Sequence, residues 1–161
     1  MGSKRPTELT VRDDGPGGDR LSARRPALSG SIPIVINAQG EWYHDGGKIE
    51  RESLVRLFAS ILRREEDGEY YMVSPTEKWR IEVVRHALRV IDFDVMVKDG
   101  VQLLEATLNT GKRIIVSEET PLFLDESAGE VAALRLPHGL TALCTRAAWY
   151  RLVELADVQD G

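Results

Sequence analysis

The sequence has 161 residues, 42% of them apolar and 29% charged, with a formal net charge of −5. That is enough for one domain, or for two small ones with modest cores. No apolar run approaches the roughly 20 residues of a membrane-spanning helix, and a single cysteine, Cys144, excludes an intrachain disulfide and suits a reducing cytoplasm.

The charge is unevenly spread. Residues 1–31 carry six basic and four acidic side chains, whereas residues 32–161 carry 15 and 22. An acidic body is a poor general binder of nucleic acid, and the pairs Lys4-Arg5 and Arg24-Arg25 are too sparse for a nucleic-acid or anionic-lipid arm. Met1 to Pro6 is followed by no apolar stretch of a secretory signal, and Pro6 stands where an N-myristoylation pattern needs Ser or Thr. Residues 1–31, with Gly15-Pro16-Gly17-Gly18 and few large apolar side chains, read as a flexible leader.

Ile32 to Ile36 is a short strand, with Pro33 placing it at an edge or a strand start. Asn37 to Gly40 is turn chemistry, Glu41 to His44 a second strand, and Asp45-Gly46-Gly47 a tight turn. An amphipathic helix is predicted from Glu50 to Glu66, with Leu54, Leu57, Phe58, Ile61 and Leu62 as its buried stripe and Asp67-Gly68 as its end. Tyr70 to Val73 is a strand stopped by Ser74-Pro75.

From Thr76 onward the period is two. Trp79, Ile81 and Val83 alternate, Ala87 to Val97 is β-rich, and Asp99-Gly100 turns the chain into a return strand, Val101 to Leu108. Strands follow at 113–116, 122–124, 130–136 and 141–144, and a final helix at about Arg146 to Ala156. Seven short strands closed by one helix fit a pleckstrin-homology-like barrel. The expected fold class is therefore α+β: a leader over 1–31, a small αβ domain over 32–76, and a seven-stranded barrel with its helix over 77–161.

The segments Arg51 to Leu57 and Arg146 to Leu152 share Arg, a large apolar residue, Arg and Leu, and each follows a turn with His and Gly. This suggests one unit, a meander feeding a helix, used twice.

The residues give little support for catalysis. His44, His86 and His138 lie far apart with no partner at metal-ligand spacing. There is no Gly-x-Ser-x-Gly elbow, and Cys144 sits in an apolar strand as an inert thiol. Gly46-Gly47-Lys48 fails as a phosphate loop, because Trp42 and Ile49 replace the required Gly and Ser/Thr. Glu65-Glu66-Asp67, Glu118-Glu119 and Asp125-Glu126 read as solvated runs. No enzyme activity, cofactor or metal is expected. What remains is a binding-type set at strand ends and turns: Trp42, His44, Arg51, Tyr70, Glu77, Lys78 and Arg113. Aromatic faces with Arg and Lys can stack a base and hold phosphates.

Gly40-x-Trp42, Gly47-x-Ile49-x-Arg51-x-x-Leu54-Val55-x-Leu57-Phe58, Asp67-Gly68-x-Tyr70 and Ser74-Pro75-x-Glu77-Lys78 resemble the bacterial domain-of-unknown-function 1285 family. Arg146-x-x-Trp149-Tyr150-x-Leu152-Val153-x-Leu155-Ala156 resembles that family's ending. The resemblance implies a two-part fold with a repeated motif and a pleckstrin-homology-like second part. It also implies a pocket at the interface of the parts, a nucleotide-like ligand and a signalling role, with no assigned reaction. The family often reads Val-Glu-Asp-x-Pro-Phe where this chain has Val83 to Leu88, so Arg85 replaces an acid and joins the candidate site. The expected function is a non-catalytic cytoplasmic ligand-binding or signalling module for a nucleotide-like anion. The alternatives are a protein-interaction module using the barrel edge or groove, and a cryptic enzyme. The sequence leaves the oligomeric state open.

Overall fold

The computed structural model describes residues 26–160, with side chains through Asp157. Most of the expected leader therefore lies outside the described residues. Order reaches back to Gly30, two residues before the expected start, because the Ser29 N–H donates to the Lys78 carbonyl (2.7 Å) and the Ser29 hydroxyl accepts from the Lys78 N–H (3.1 Å).

Six strands form a first sheet: β1 (Gly30–Ile36), β2 (Trp42–His44), β3 (Gly47–Lys48), β4 (Leu62–Arg64), β5 (Tyr70–Val73) and β6 (Lys78–Val83). Six more form a second: β7 (Leu88–Lys98), β8 (Val101–Leu108), β9 (Arg113–Ile115), β10 (Leu122–Asp125), β11 (Val131–Arg135) and β12 (Thr141–Cys144). Helix α1 (Glu52–Ser60) lies between β3 and β4, and α2 (Arg146–Asp160) follows β12. The Thr145 hydroxyl starts α2 by accepting the Ala148 N–H at 3.1 Å.

The sheets run β3-β2-β1-β6-β5-β4 and β9-β8-β7-β12-β11-β10, so with six added to each strand of the first the two orders are identical. Each joins two antiparallel meanders by a parallel pairing of its first and last strands, β1 with β6 and β7 with β12. The repeat is one of strand topology. The helices occupy different places in it, so the expected match of Arg51–Leu57 with Arg146–Leu152 joins non-equivalent elements.

The strand at 78–83, expected to open a seven-stranded barrel, is β6 and pairs with β1 and β5. The second sheet therefore has six strands. The chain passes between sheets after Val83, not at the expected 76/77 boundary.

The first helix is shorter than its periodicity suggests. It ends at Ser60, because Leu62–Arg64 pair with Tyr70–Met72 around a turn in which Gly68 takes φ +83° and its N–H donates to the Glu65 carbonyl. Leu62 is buried as a strand residue. Val55, Phe58, Ala59 and Ile61 face the core, while Leu57, expected on the buried stripe, is 58% exposed.

One continuous core joins the two sheets, from Ile34, Ile36 and Trp42 through Tyr70, Met72 and Ile81 to Val90, Phe93, Leu108 and Leu134. Two buried apolar residues, Tyr71 and Ala133, stand outside that cluster on the opposite faces of their sheets. Among the described residues no helix is long and apolar enough to cross a membrane.

Candidate functional site

Pro33 opens the parallel pairing of β1 with β6. Ser31 pairs with Arg80 and Val35 with Glu82, so three residues of β1 stand opposite one of β6. Proline has no N–H to give to a ladder, which explains why the register breaks there. Beside this break lies a cleft of about 540 Å³, lined by β1 residues 31–35, by Arg64 and Gly68–Tyr70 of the β4–β5 hairpin, and by Arg80–Arg85 of β6 and its exit. The volume falls within the range of small-molecule sites, about 300–1,000 Å³.

Three arginines are among the lining residues: Arg64, Arg80 and Arg85. Arg64 lies over the Tyr70 ring at 5.3 Å and its Nε donates to the Gly68 carbonyl at 3.1 Å. Arg80 lies over the Tyr71 ring at 5.6 Å and its Nη2 donates to the Tyr71 hydroxyl at 3.4 Å, while its Nε is buried with no hydrogen-bond partner among the described residues. Glu69 and Glu82 also line the cleft. Yet among the described residues none of the three arginines has a carboxylate within the 4.0 Å of an ion pair. Burial raises the Tyr70 hydroxyl above its usual pKa, with the Arg64 charge opposing, so at neutral pH the phenol keeps its proton. The cleft thus offers two cations without a carboxylate partner, Arg64 and Arg85, and a neutral phenol.

The residues expected in the site divide. Tyr70 and Arg85 line the cleft. Trp42 does not: it is 2% exposed and stacks on Phe58 at 6.3 Å as a core residue. His44 ends β2 exposed, and Arg51 precedes α1 exposed and without capping it. The Glu77 carboxylate accepts from the Trp79 indole N–H at 2.7 Å. Lys78 pairs with Glu65 at 2.5 Å and lies 4.3 Å over Tyr71, a structural role. Arg113 is exposed on β9 at the far edge of the second sheet. The cleft does not lie between the two parts, as expected, because no residue beyond Arg85 lines it. Arg64 was hidden from the sequence reading by the overlong helix. Arg80 was visible in the alternation Lys78-x-Arg80-x-Glu82, which sets three charged residues on one strand face.

A second polar cluster lies just past the cleft. His86, on the link between the sheets, is 9% exposed, with Nε2 2.6 Å from Asp125 Oδ2 and Nδ1 2.7 Å from Thr141 Oγ1. The Asp125 carboxylate also accepts from the Ser127 N–H and hydroxyl; those bonds, then His86, hold its pKa down at about 2. An ionised carboxylate only accepts, so Nε2 carries a proton and donates. Strand register places Asp125, Ala133 and Thr141 on one face. His86 therefore spans β10 and β12 across a β11 position whose side chain is a single methyl. Asp125, expected in a solvated run, and His86, without a partner in the sequence, are thus bonded to each other away from solvent. Among the described residues no group of three His, Cys, Asp or Glu is placed to hold a metal ion.

Two six-stranded units of one topology, sharing a core and carrying an arginine-lined cleft beside the link, define a two-part α+β protein. Residues 21–85 match the family model "Domain of unknown function (DUF1285), N-terminal domain", and residues 87–161 match "Protein of unknown function (DUF1285), C-terminal domain". The chain belongs to the DUF1285 family, and the boundary between its two parts falls at His86. It is similar to the crystal structure of a DUF1285 family protein from Silicibacter pomeroyi, with 32% identity and a TM-score of 0.74, over 90% of this chain and 79% of that one. It is also similar to a DUF1285 family protein from Shewanella baltica, with 28% identity and a TM-score of 0.62, over 76% of this chain and 91% of that one. No curated protein matches the chain.

Proposed function

We propose that this protein is a non-catalytic cytoplasmic module that binds a small phosphate-bearing ligand, such as a nucleotide, in the cleft beside Pro33, and that it serves signalling. The observation that supports this most directly is that Arg64 and Arg85 line one cleft with no carboxylate at ion-pair distance, in a protein of net charge −5, while Arg80, a third lining residue, is held against Tyr71. Guanidinium groups free of carboxylate partners suit phosphate because they donate in parallel pairs. The Tyr70 phenol supplies a further donor for an oxygen. In the same reading, the second sheet with α2 packed on β7 is a pleckstrin-homology-like half that supports the first.

Calorimetric titration of the full chain with inorganic phosphate, pyrophosphate and a nucleoside monophosphate tests the reading. Binding of at least one is expected, weakened by salt, and weakened about tenfold or more by Arg64→Ala or Arg85→Ala, since charged hydrogen bonds carry roughly 1.5–3 kcal/mol each. No binding of any of the three, or binding unchanged in both variants, overturns it.

A further inference from the structure

The second unit gives the cleft no lining residue, yet the link that enters it is fastened at both ends. On one side the Val84 N–H donates to the Ile36 carbonyl at 2.9 Å, tying the link to the first sheet. On the other side His86 is bound through both ring nitrogens to β10 and β12 of the second sheet. Arg85 is the residue between these two fastenings, and it is exposed and lines the cleft. A long cationic side chain loses much rotational freedom when it holds a ligand, and a fixed backbone confines what must still be ordered.

We propose that His86 is a positioning residue for the cleft: the Asp125–His86–Thr141 clamp fixes the backbone of Arg85 so that its guanidinium is presented to the ligand. This rests on the anion-binding reading above. The second unit then serves binding through this one imidazole, not by touching the ligand.

The clamp has a built order. Ser127 orients the Asp125 carboxylate, which accepts the hydrogen bond from the Nε2 N–H. When the imidazole is neutral, Nδ1 accepts from the Thr141 hydroxyl; when it is protonated, Nδ1 donates to the same oxygen. Either state keeps both bonds, as a fastening requires. Ala133, fully buried on that face yet outside the main core, is the position the imidazole crosses.

Pyrophosphate binding by the full chain provides the test. His86→Ala is expected to weaken it by the roughly tenfold that loss of an orienting partner costs a ligating group. In an Arg85→Ala background the same change is expected to have no further effect. His86→Gln, which keeps one donor and one acceptor, should recover part of the loss. Should His86→Ala fail to fold, Thr141→Val and Asp125→Asn take its place, each with a smaller loss that likewise vanishes without Arg85. Equal losses in both backgrounds, or none, overturn the clamp's role while leaving the anion site standing. No pyrophosphate binding by the wild-type chain, with binding of another anion unaffected by Arg85→Ala, also overturns it. No anion binding at all overturns the underlying reading and this one with it.

Discussion

Gly139 lies so close to Arg64 that a Cβ built on it would come within 2.5 Å of the Arg64 carbonyl oxygen. The two residues belong to different units: Gly139 is in the turn between β11 and β12, and Arg64 ends β4 beside the cleft. A reciprocal contact exists on the other side, where a Cβ on Gly40 of the first unit would meet the Arg89 side chain of the second at 2.5 Å. The units are therefore seated on each other through a glycine from each. The two seats are not equally strict, because the Arg89 side chain can swing away and the Arg64 carbonyl cannot.

Gly139→Ala should destabilise the protein by about 2–5 kcal/mol. Its φ of +74° strains any L side chain, at about 1–2 kcal/mol, and the clash with backbone adds about 1–3 kcal/mol. Gly111→Ala isolates the backbone part, since Gly111 has φ +92° with nothing within 4 Å of a built Cβ. In urea unfolding the first change should cost clearly more than the second. Equal costs would mean that the turn yields and the seat carries no weight.

The first helix offers a paired test. Leu57→Ala should cost under about 0.5 kcal/mol, since the side chain is 58% exposed. Phe58→Ala should cost about 2–4 kcal/mol, as it removes the ring stacked on Trp42. A large loss at Leu57 would place the buried stripe where periodicity alone puts it.

That stripe shows what the sequence could and could not reveal. Strands with strong alternation or a clear turn were legible almost to the residue: Val101–Leu108 after Asp99-Gly100, and Thr141–Cys144 after Pro137-His138-Gly139. The helix was legible at its start and not at its end. Leu62 continues a helical spacing from Leu54 and Phe58, yet its burial comes from pairing with Met72, a contact no local pattern reports. The same holds for β6, whose period of two is right while its partners, β1 and β5, assign it to the first sheet. Tyr70 stood out for its type at a strand end and Arg85 for replacing an acid of the family pattern, and both line the cleft. Arg64 became a member only through strand pairing, and His86 met Asp125 and Thr141 across 39 and 55 positions of chain.

Lys78, expected to touch a ligand, should behave as a structural residue. Its ammonium pairs with Glu65 at 2.5 Å and covers the buried ring of Tyr71. Lys78→Met should lower stability by about 1–2 kcal/mol and leave pyrophosphate affinity within about twofold, a change of roughly 0.4 kcal/mol. An affinity loss as large as that of Arg85→Ala would bring Lys78 back into the site.

The acid limb of stability should depend on Asp125. Its folded pKa is held at about 2 against an ordinary 3.8, first by Ser127 and then by His86. Between those values the unfolded chain binds more protons at this site than the folded one, so stability there rises with pH. The contribution is complete above about pH 4 and is lost as the pH falls through 3.8 toward 2. Burial, with Arg63 and Lys112 adding to it, likewise lowers His138 from 6.5, so its contribution is present above pH 6.5 and declines below it. The two windows separate on the pH axis. In urea unfolding at fixed pH, Asp125→Asn should be less stable than wild type near pH 7 and lose less stability between pH 4 and 2. His138→Gln should instead flatten the decline that begins below pH 6.5 and leave the more acid limb unchanged. Identical slopes for wild type and Asp125→Asn from pH 4 to 2 would show that the Asp125–His86 bond does not hold the folded state together in acid.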